Sequence, residues 1–271
     1  MDILITGSTG FLGKEVKLAL KKYNYKLLFI GNKKIKNKNY IYCDLKKLKK
    51  LSSILKNINP DIVINLAAQV NFGKKNKDMY KINTLCPYVI AKFCKSNGSH
   101  LIQASTIMVH GIKSSYGIKT KYSPINNYGK SKLAAENLIK KTNCRYSIIR
   151  FGGIYGKYGP GHLGINKFIK ASLKGKDLNF NGNIESIRNY IFVKDAARVI
   201  TNCIKNNLFG TFYAAGQSQS FKKMIYKINS ILGKNGLVNF KNTNQARFDQ
   251  VITNSNIIKP ISFEKSLKSM I

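Results

Sequence analysis

Thr6-Gly7-Ser8-Thr9-Gly10-Phe11-Leu12-Gly13, read as TGSTGFLG, follows a short apolar run, Ile3 to Ile5, and opens an amphipathic stretch from Phe11 to Leu20. An apolar run, a glycine-rich turn and then a helix-period segment mark the passage from a buried strand into a helix. Gly7, Gly10 and Gly13 are spaced GxxGxxG. Glycine lets the backbone turn tightly and approach a ligand closely, while the start of a helix offers unpaired N–H groups at the positive end of its dipole. In this place the combination is a cradle for the pyrophosphate of a dinucleotide, and Gly7, Thr9, Gly10, Phe11, Leu12 and Gly13 are its candidate residues.

Working outward, apolar β-rich runs recur at Leu27 to Ile30, Tyr40 to Cys43, Ile62 to Leu66, His100 to Ala104 and Tyr146 to Phe151. Helix-period segments separate most of them, including Leu45 to Ile58, Tyr80 to Lys95 and Tyr128 to Lys140. Such alternation predicts an α/β fold: a doubly wound parallel sheet with helices on both faces and a ligand crevice at the carboxyl ends of the strands. Past Arg150 the pattern breaks at Gly152, Gly153, Gly156, Gly159, Pro160, Gly161 and Gly164, and the later elements are shorter and mixed. The expected division is a dinucleotide-binding domain over 1–152 and a smaller mixed C-terminal substrate lobe over 153–271, with a segment near 190–215 returning to the main sheet.

A chain of 271 residues, 44% of them hydrophobic, can bury a sizeable core. No apolar run approaches the ~18 residues of a membrane span, and the N-terminus enters a strand without a charged leader, so a cytoplasmic protein is expected. Cys43, Cys86, Cys94, Cys144 and Cys203 are odd in number and dispersed, which suits neither a disulfide framework nor a zinc site, and no metal is expected. The 47 Lys and Arg against 11 Asp and Glu give a formal net charge of +36. Because the lysines are spread over the whole chain among many Asn and Ile, they read as compositional drift on solvated faces; a polyanionic partner is the competing reading. The scarcity of acids makes any carboxylate in a motif less incidental.

Further cofactor contacts are expected from Asp44 and Leu45 after the third strand, and from Leu66, Ala67 and Ala68 at the end of the fourth. The second strand bears on which nicotinamide cofactor is used. An NAD site usually carries an acid there for the ribose 2'-hydroxyl, and an NADP site replaces it with groups that accept a 2'-phosphate. This strand ends Phe29-Ile30-Gly31-Asn32-Lys33-Lys34, with no acid and with Asn32 and Lys33 at the contact positions. NADP(H) is favoured, and NAD(H) is retained as the alternative.

YGKSK, Tyr128 to Lys132, places a phenol and an ammonium four residues apart on a helix-period segment, where i and i+4 share a face. A tyrosine is a poor acid or base near neutral pH, its free pKa being ~10, and a neighbouring ammonium favours the phenolate. Lys132 is therefore expected to lower the pKa of Tyr128 and to hold the nicotinamide ribose. Ser105 and Thr106, closing the fifth strand at the crevice end, supply hydroxyls for a substrate oxygen.

With these motifs together, TGSTGFLG, NLAA at Asn65, STIMVHG at Ser105, YGKSK at Tyr128, RFGGIYG at Arg150 and RNYIFVKDAA at Arg188, the chain resembles the extended short-chain dehydrogenase/reductase family over essentially its full length. These are the nucleotide-sugar epimerases, dehydratases and reductases built on a Rossmann sheet. The resemblance implies Thr106, Tyr128 and Lys132 as the catalytic triad and an asparagine near the active site at Asn83. It implies Arg188 and Arg247 as the arginines that meet a substrate diphosphate, a role for which forked guanidiniums suit and lysine does not. A homodimer is implied by the same analogy.

Two departures qualify the resemblance. The family usually carries an asparagine that touches the nucleotide sugar where this chain has Gly153. Its 4,6-dehydratases carry Asp-Glu directly after the catalytic threonine, where this chain has Ile107 and Met108. The function expected is oxidoreduction at C4 of a nucleotide-linked sugar, as a 4-keto reductase or a 4-epimerase and not a 4,6-dehydratase. The alternatives are a reductase of a non-nucleotide carbonyl or, from another class, a nucleic-acid-binding member of the family; no specific nucleic acid is expected as partner.

Overall fold

In a computed structural model the described residues are 1–70, 77–233, 236–253 and 257–271. The chain contains a seven-stranded sheet, drawn from the N-terminal half and two later strands. Its strands are β1 (Asp2–Thr6), β2 (Lys26–Gly31), β3 (Tyr40–Tyr42), β4 (Ile62–Asn65), β5 (His100–Thr106), β6 (Arg145–Phe151) and β7 (Gly210–Ala214). In space the order is β7-β6-β5-β4-β1-β2-β3, so the chain reverses its winding beside β1. β1 pairs in parallel with β2 and β4, β2 with β3, and β4 with β5. The central strands are buried on both faces, which is why Ile62 to Ile64 and Ile3 to Ile5 read as unbroken apolar runs rather than alternating ones.

Helices α1 (Phe11–Leu20), α2 (Leu48–Ile58), α3 (Cys86–Asn97) and α4 (Asn127–Lys141) belong to the same unit. Leu51 and Leu55 of α2, Ile90 and Cys94 of α3 and Ile139 of α4 pack with Leu4, Val63, Leu101 and Ile148 of the sheet in one core cluster. All five cysteines are buried thiols. Among the described residues no helix is long and apolar enough to cross a membrane.

Two elements differ from the sequence pattern for local reasons. The helix expected from Leu45 begins at Leu48, because the Asp44 carboxylate accepts the Lys46 N–H at 3.0 Å and its carbonyl accepts the Lys47 N–H at 2.9 Å, forming a turn first. The helix expected from Tyr80 to Lys95 is one run of α-helix (Lys77–Tyr80), π-helix (Lys81–Leu85) and α3. Pro87 has no N–H to offer the Asn83 carbonyl, and the Cys86 N–H reaches back to Lys81 in the wider step of a π-turn. Both side chains that this widened turn carries inward, Asn83 and Thr84, are fully buried.

The chain divides into two compact units: Met1–Ile112 with Lys121–Arg150 and Ala197–Phe212, and Lys113–Thr120 with Phe151–Ala196 and Tyr213–Ile271. The second is held by short strand pairs, Leu178–Asn181 with Val238–Lys241 and Ile187–Arg188 with Gln219–Ser220, and by helices Gly164–Ser172, Phe221–Leu232 and Phe263–Lys268. Phe180 is its aromatic centre, with ring centroids 4.8 Å from Phe221 and 6.2 Å from both Phe168 and Phe240.

Candidate active site

The glycine turn after β1 is closed by contacts that exclude side chains. Gly7 has φ +67°, and a Cβ there would stand 2.7 Å from the Ala67 nitrogen; a Cβ on Gly13 would stand 2.2 Å from the Gly7 carbonyl oxygen. Gly10 caps α1, donating its N–H to Gly7 at 3.0 Å and accepting from Lys14 at 3.0 Å. Beneath the turn, Thr6 donates to Asn65 at 2.5 Å, Ala67 donates to Thr6 at 3.1 Å and Asn65 donates to Gln103 at 2.7 Å, a buried chain across the ends of β1, β4 and β5. Satisfied polar chains of this kind stiffen the floor of a site.

Over that floor lies a cavity of about 260 Å³ lined by Gly7, Thr9, Gly10, Gly31, Asn32, Asp44, Leu45, Leu66, Ala67 and Ala68 among others. Its shape, with backbone exposed by glycine at the positive end of α1, fits a dinucleotide pyrophosphate. Phe11 and Leu12 lie in the first turn of α1, partly buried, and Gly13 packs under the turn. Lys33 is exposed just beyond β2.

Thr106 ends β5 and caps the single 3-10 turn Ile107–His110, its Oγ1 accepting the Met108 N–H at 3.2 Å. That bond uses an oxygen lone pair, not the hydroxyl proton. The first turn of α4 is pressed against the same segment, for a Cβ on Gly129 would stand 2.5 Å from the Met108 carbonyl oxygen. Gly129 thus fixes its neighbour Tyr128 beside the end of β5, and the Asn126 side chain caps the helix by accepting the Gly129 N–H at 2.8 Å.

Lys132 is 2% exposed. Burial pulls its pKa down to about 8, against the opposing pull of Glu136 and Cys86. Burial pushes Tyr128 up to about 12. The expectation that Lys132 lowers the pKa of Tyr128 is reversed: burial raises it instead.

Asn83 spans two segments. Its Oδ1 accepts the Gln69 N–H at 2.8 Å, and its Nδ2 donates to the Gln69 carbonyl at 2.9 Å and to Ser131 Oγ at 3.1 Å. Ser131 in turn donates to the Tyr128 carbonyl at 2.7 Å. Asn83 thereby ties the loop after β4 to the helix that carries Tyr128. Ser105 is likewise engaged, donating to Glu136 at 2.5 Å.

Glu136 continues the Tyr128, Lys132 series by one more helical turn and is fully buried. Arg150 meets it through Nε at 3.1 and 3.2 Å and through Nη2 at 2.5 Å. Arg150 also donates to Tyr122 Oη at 2.8 Å and to His110 Nε2 at 3.3 Å. Since arginine only donates, His110 accepts at Nε2 and carries its proton on Nδ1, toward the Lys121 carbonyl at 3.1 Å. The motif reading passes over this cluster, although the four-residue step and the scarcity of acids both point to Glu136.

In the second unit Arg188 donates to the Ile187 and Phe248 carbonyls at 2.8 and 2.6 Å and lies over the Phe221 ring at 5.0 Å. Arg247 is exposed and forked onto Asp249 at 3.1 and 2.9 Å, while Asp249 accepts the Ile187 N–H at 2.8 Å. Asp249 so joins the segments that carry the two arginines. At Gly153 a Cβ would stand 2.5 Å from the Tyr190 ring. That ring fills the space of the side chain the family usually has there.

Residues 1–224 match the model described as the RmlD substrate binding domain. A dTDP-D-glucose 4,6-dehydratase of Dictyostelium discoideum is 28% identical over 251 residues, 79% of this chain and 58% of that protein, so the chain spans well under two thirds of this relative. Two solved structures share the fold. A UDP-glucose 4-epimerase of Thermus thermophilus in complex with NAD aligns with a TM-score of 0.83 at 17% identity, covering 100% of this chain and 97% of the other. A dTDP-4-dehydrorhamnose reductase of Bacillus anthracis in complex with NADP aligns with a TM-score of 0.82 at 24% identity, covering 99% and 98%. Glycine cradle, seven-stranded sheet and family match agree: the chain belongs to the RmlD substrate binding domain family, among the extended short-chain dehydrogenase/reductases that include nucleotide-sugar epimerases, reductases and dehydratases.

Proposed function

We propose that the protein is an NAD(P)-dependent oxidoreductase acting at C4 of a nucleotide-linked sugar, with NADP(H) favoured and 4-keto reduction as the direction. The observation that carries this reading is the pairing of a half-buried Tyr128 with the buried Lys132 on one helix face, in the helix whose first turn packs against the segment after Thr106, where Ile107 and Met108 offer no acid or base. Bound reduced nicotinamide supplies the hydride for the carbonyl carbon. Tyr128 gives its phenolic proton to the carbonyl oxygen as that oxygen becomes an alcohol, and Lys132 stabilises the phenolate left behind. Thr106 donates its hydroxyl proton in a hydrogen bond to the same oxygen. An NADP(H) preference would favour net reduction, because an epimerase recovers its own hydride and gains nothing from a reduced pool.

The Gly7, Gly10, Gly13 turn with Thr9, Leu45, Leu66, Ala67 and Ala68 would hold the dinucleotide, and Lys132 its nicotinamide ribose. Arg188 and Arg247 are proposed for the substrate diphosphate, Arg247 exchanging Asp249 for phosphate oxygens. Asn83, from the family pattern, and Ser105, from its place at the end of β5, are proposed to meet substrate, and their hydrogen bonds to Ser131 and Glu136 also brace α4. The Tyr190 ring beside Gly153 favours a second reading, a smaller carbonyl substrate without a nucleotide.

Native mass spectrometry of the purified protein, followed by NADPH consumption with 4-keto-6-deoxy nucleotide hexoses, tests the proposal. A co-purifying dinucleotide and turnover of at least one such sugar are expected. Turnover only of carbonyls lacking a nucleotide would select the second reading, and consumption with neither class would sink both.

A further inference from the structure

The end of β2 is occupied by a side chain from the neighbouring strand. Tyr40 pairs with Phe29 in the β2–β3 register, and its ring leans along the strand direction, so that its hydroxyl arrives two residues further on. A Cβ on Gly31 would stand 2.5 Å from that hydroxyl. The same oxygen accepts the Lys33 N–H at 3.3 Å. The tyrosine's own backbone is anchored, its N–H donating to Asn37 at 3.0 Å in the turn that opens β3. Gly31 and Tyr40 are thus a complementary pair: the phenol stands where a side chain on residue 31 would begin.

Tyr40 also lines two neighbouring cavities. One is the cavity over the glycine turn. The other is a cavity of about 460 Å³ lined by Tyr40, Ser8, Thr9 and the lysines Lys14, Lys17 and Lys21.

We propose that Tyr40 is a cofactor-binding residue at the 2' position, its hydroxyl donating to the 2'-oxygen of the adenosine ribose and leaving room for a 2'-phosphate, while the lysine-lined cavity beside it receives that phosphate. This rests on the reading of the protein as an NAD(P)-dependent enzyme. The chemistry follows from the donor set. A carboxylate accepts from a ribose hydroxyl and repels a phosphate. A phenol that already accepts from a backbone N–H keeps its proton to donate, to a hydroxyl or to a phosphate oxygen, and repels neither. Lysine provides charge without a demand on geometry, as a point-like cation for phosphate.

The test is direct titration of the purified protein with NADPH and with NADH, followed by nicotinamide fluorescence, with thermal unfolding of each ligand-free variant as a check on folding. Tyr40→Phe removes only the hydroxyl and is expected to weaken NADPH binding by about three- to ten-fold, the worth of one hydrogen bond, with unfolding unchanged. Gly31→Ala, whose methyl displaces that hydroxyl, is expected to weaken it comparably. In the double variant Gly31→Asp with Tyr40→Phe, the acid has room and NADH should bind more tightly than NADPH. Unchanged dissociation constants in Tyr40→Phe for both cofactors would overturn the proposal. If wild type prefers NADH while Tyr40→Phe still weakens both, the contact stands and the NADP(H) preference falls.

Discussion

Arg150 and Glu136 form a buried ion pair, 2% and 0% exposed at the side chain, in which Nε and Nη2 of the guanidinium close on the two carboxylate oxygens. It is more than a packing detail, because Glu136 also accepts from Ser105, the neighbour of Thr106, and lies one turn beyond Lys132. The pair joins β5, β6 and α4 at the level of the proposed triad. Removing one partner of such a pair leaves an uncompensated buried charge, which costs about 3–5 kcal/mol.

Glu136→Gln is therefore expected to lower stability by about that amount in denaturant unfolding. It should also move activity with pH. Glu136 opposes the burial that depresses Lys132, so without its charge the lysine loses its proton at a pH below about 8. If turnover requires the ammonium, the alkaline limb of the kcat profile shifts to lower pH. A profile that keeps its alkaline limb in a folded Glu136→Gln variant would confine the pair to structure.

Lys132 itself should cost the protein stability. Its folded pKa, about 8, lies below that of a free lysine, so the unfolded chain binds the proton more tightly. The cost is fully present below pH 8 and disappears as pH rises toward ~10.4, the unfolded value. Lys132→Met is expected to raise the unfolding free energy at pH 7, by at most about 3 kcal/mol, while abolishing turnover. The gain should shrink between pH 8 and the free-lysine value; a gain independent of pH would mean that better packing, not relief of a buried charge, is responsible.

Tyr128→Phe removes the proton donor and keeps the ring. Turnover is expected to fall by about two to four orders of magnitude, the usual worth of positioned acid-base assistance, while cofactor binding stays within a few-fold. Parallel loss of binding and turnover would make Tyr128 a structural residue.

What the chain alone conveys about this site depends on distance along it. The glycine turn is legible because strand, turn and helix start are consecutive, and Tyr128 with Lys132 because a helix repeats its face every turn. Glu136 shares that face, yet its burial depends on Ser105 and Arg150 from two other strands. Tyr40 is the sharper case. The stretch ending at Lys34 shows only a missing acid, and the group that stands in its place comes from the next strand through the β2–β3 register. The reversal of the Tyr128 pKa has the same origin: the helix spacing is local, whereas desolvation is a property of the assembled core. Gly153 reads as an absent contact until the Tyr190 ring is seen in its space.

The last expectation concerns a reaction that the proposed site would not carry out. Loss of water across C5 and C6 of a 4-keto sugar needs a base for the proton at C5 and an acid for the hydroxyl at C6. The residues following Thr106, which carry these groups in dehydratases of the family, are Ile107 and Met108, in the turn that Thr106 caps. Neither side chain can take or give a proton, and Tyr128 and Lys132 are proposed to act on the oxygen at C4. The proposal is kept although a relative 28% identical bears the name of a 4,6-dehydratase, since identity at that level does not fix two adjacent residues. Incubation of the protein and its dinucleotide with nucleotide hexoses is expected to yield no 4-keto-6-deoxy product, whereas a 4-keto sugar supplied with NADPH should be reduced. Proton NMR distinguishes the two outcomes by the methyl doublet that appears when C6 loses its hydroxyl, and growth of that doublet would require an acid-base pair elsewhere in the site and end the assignment to C4 oxidoreduction.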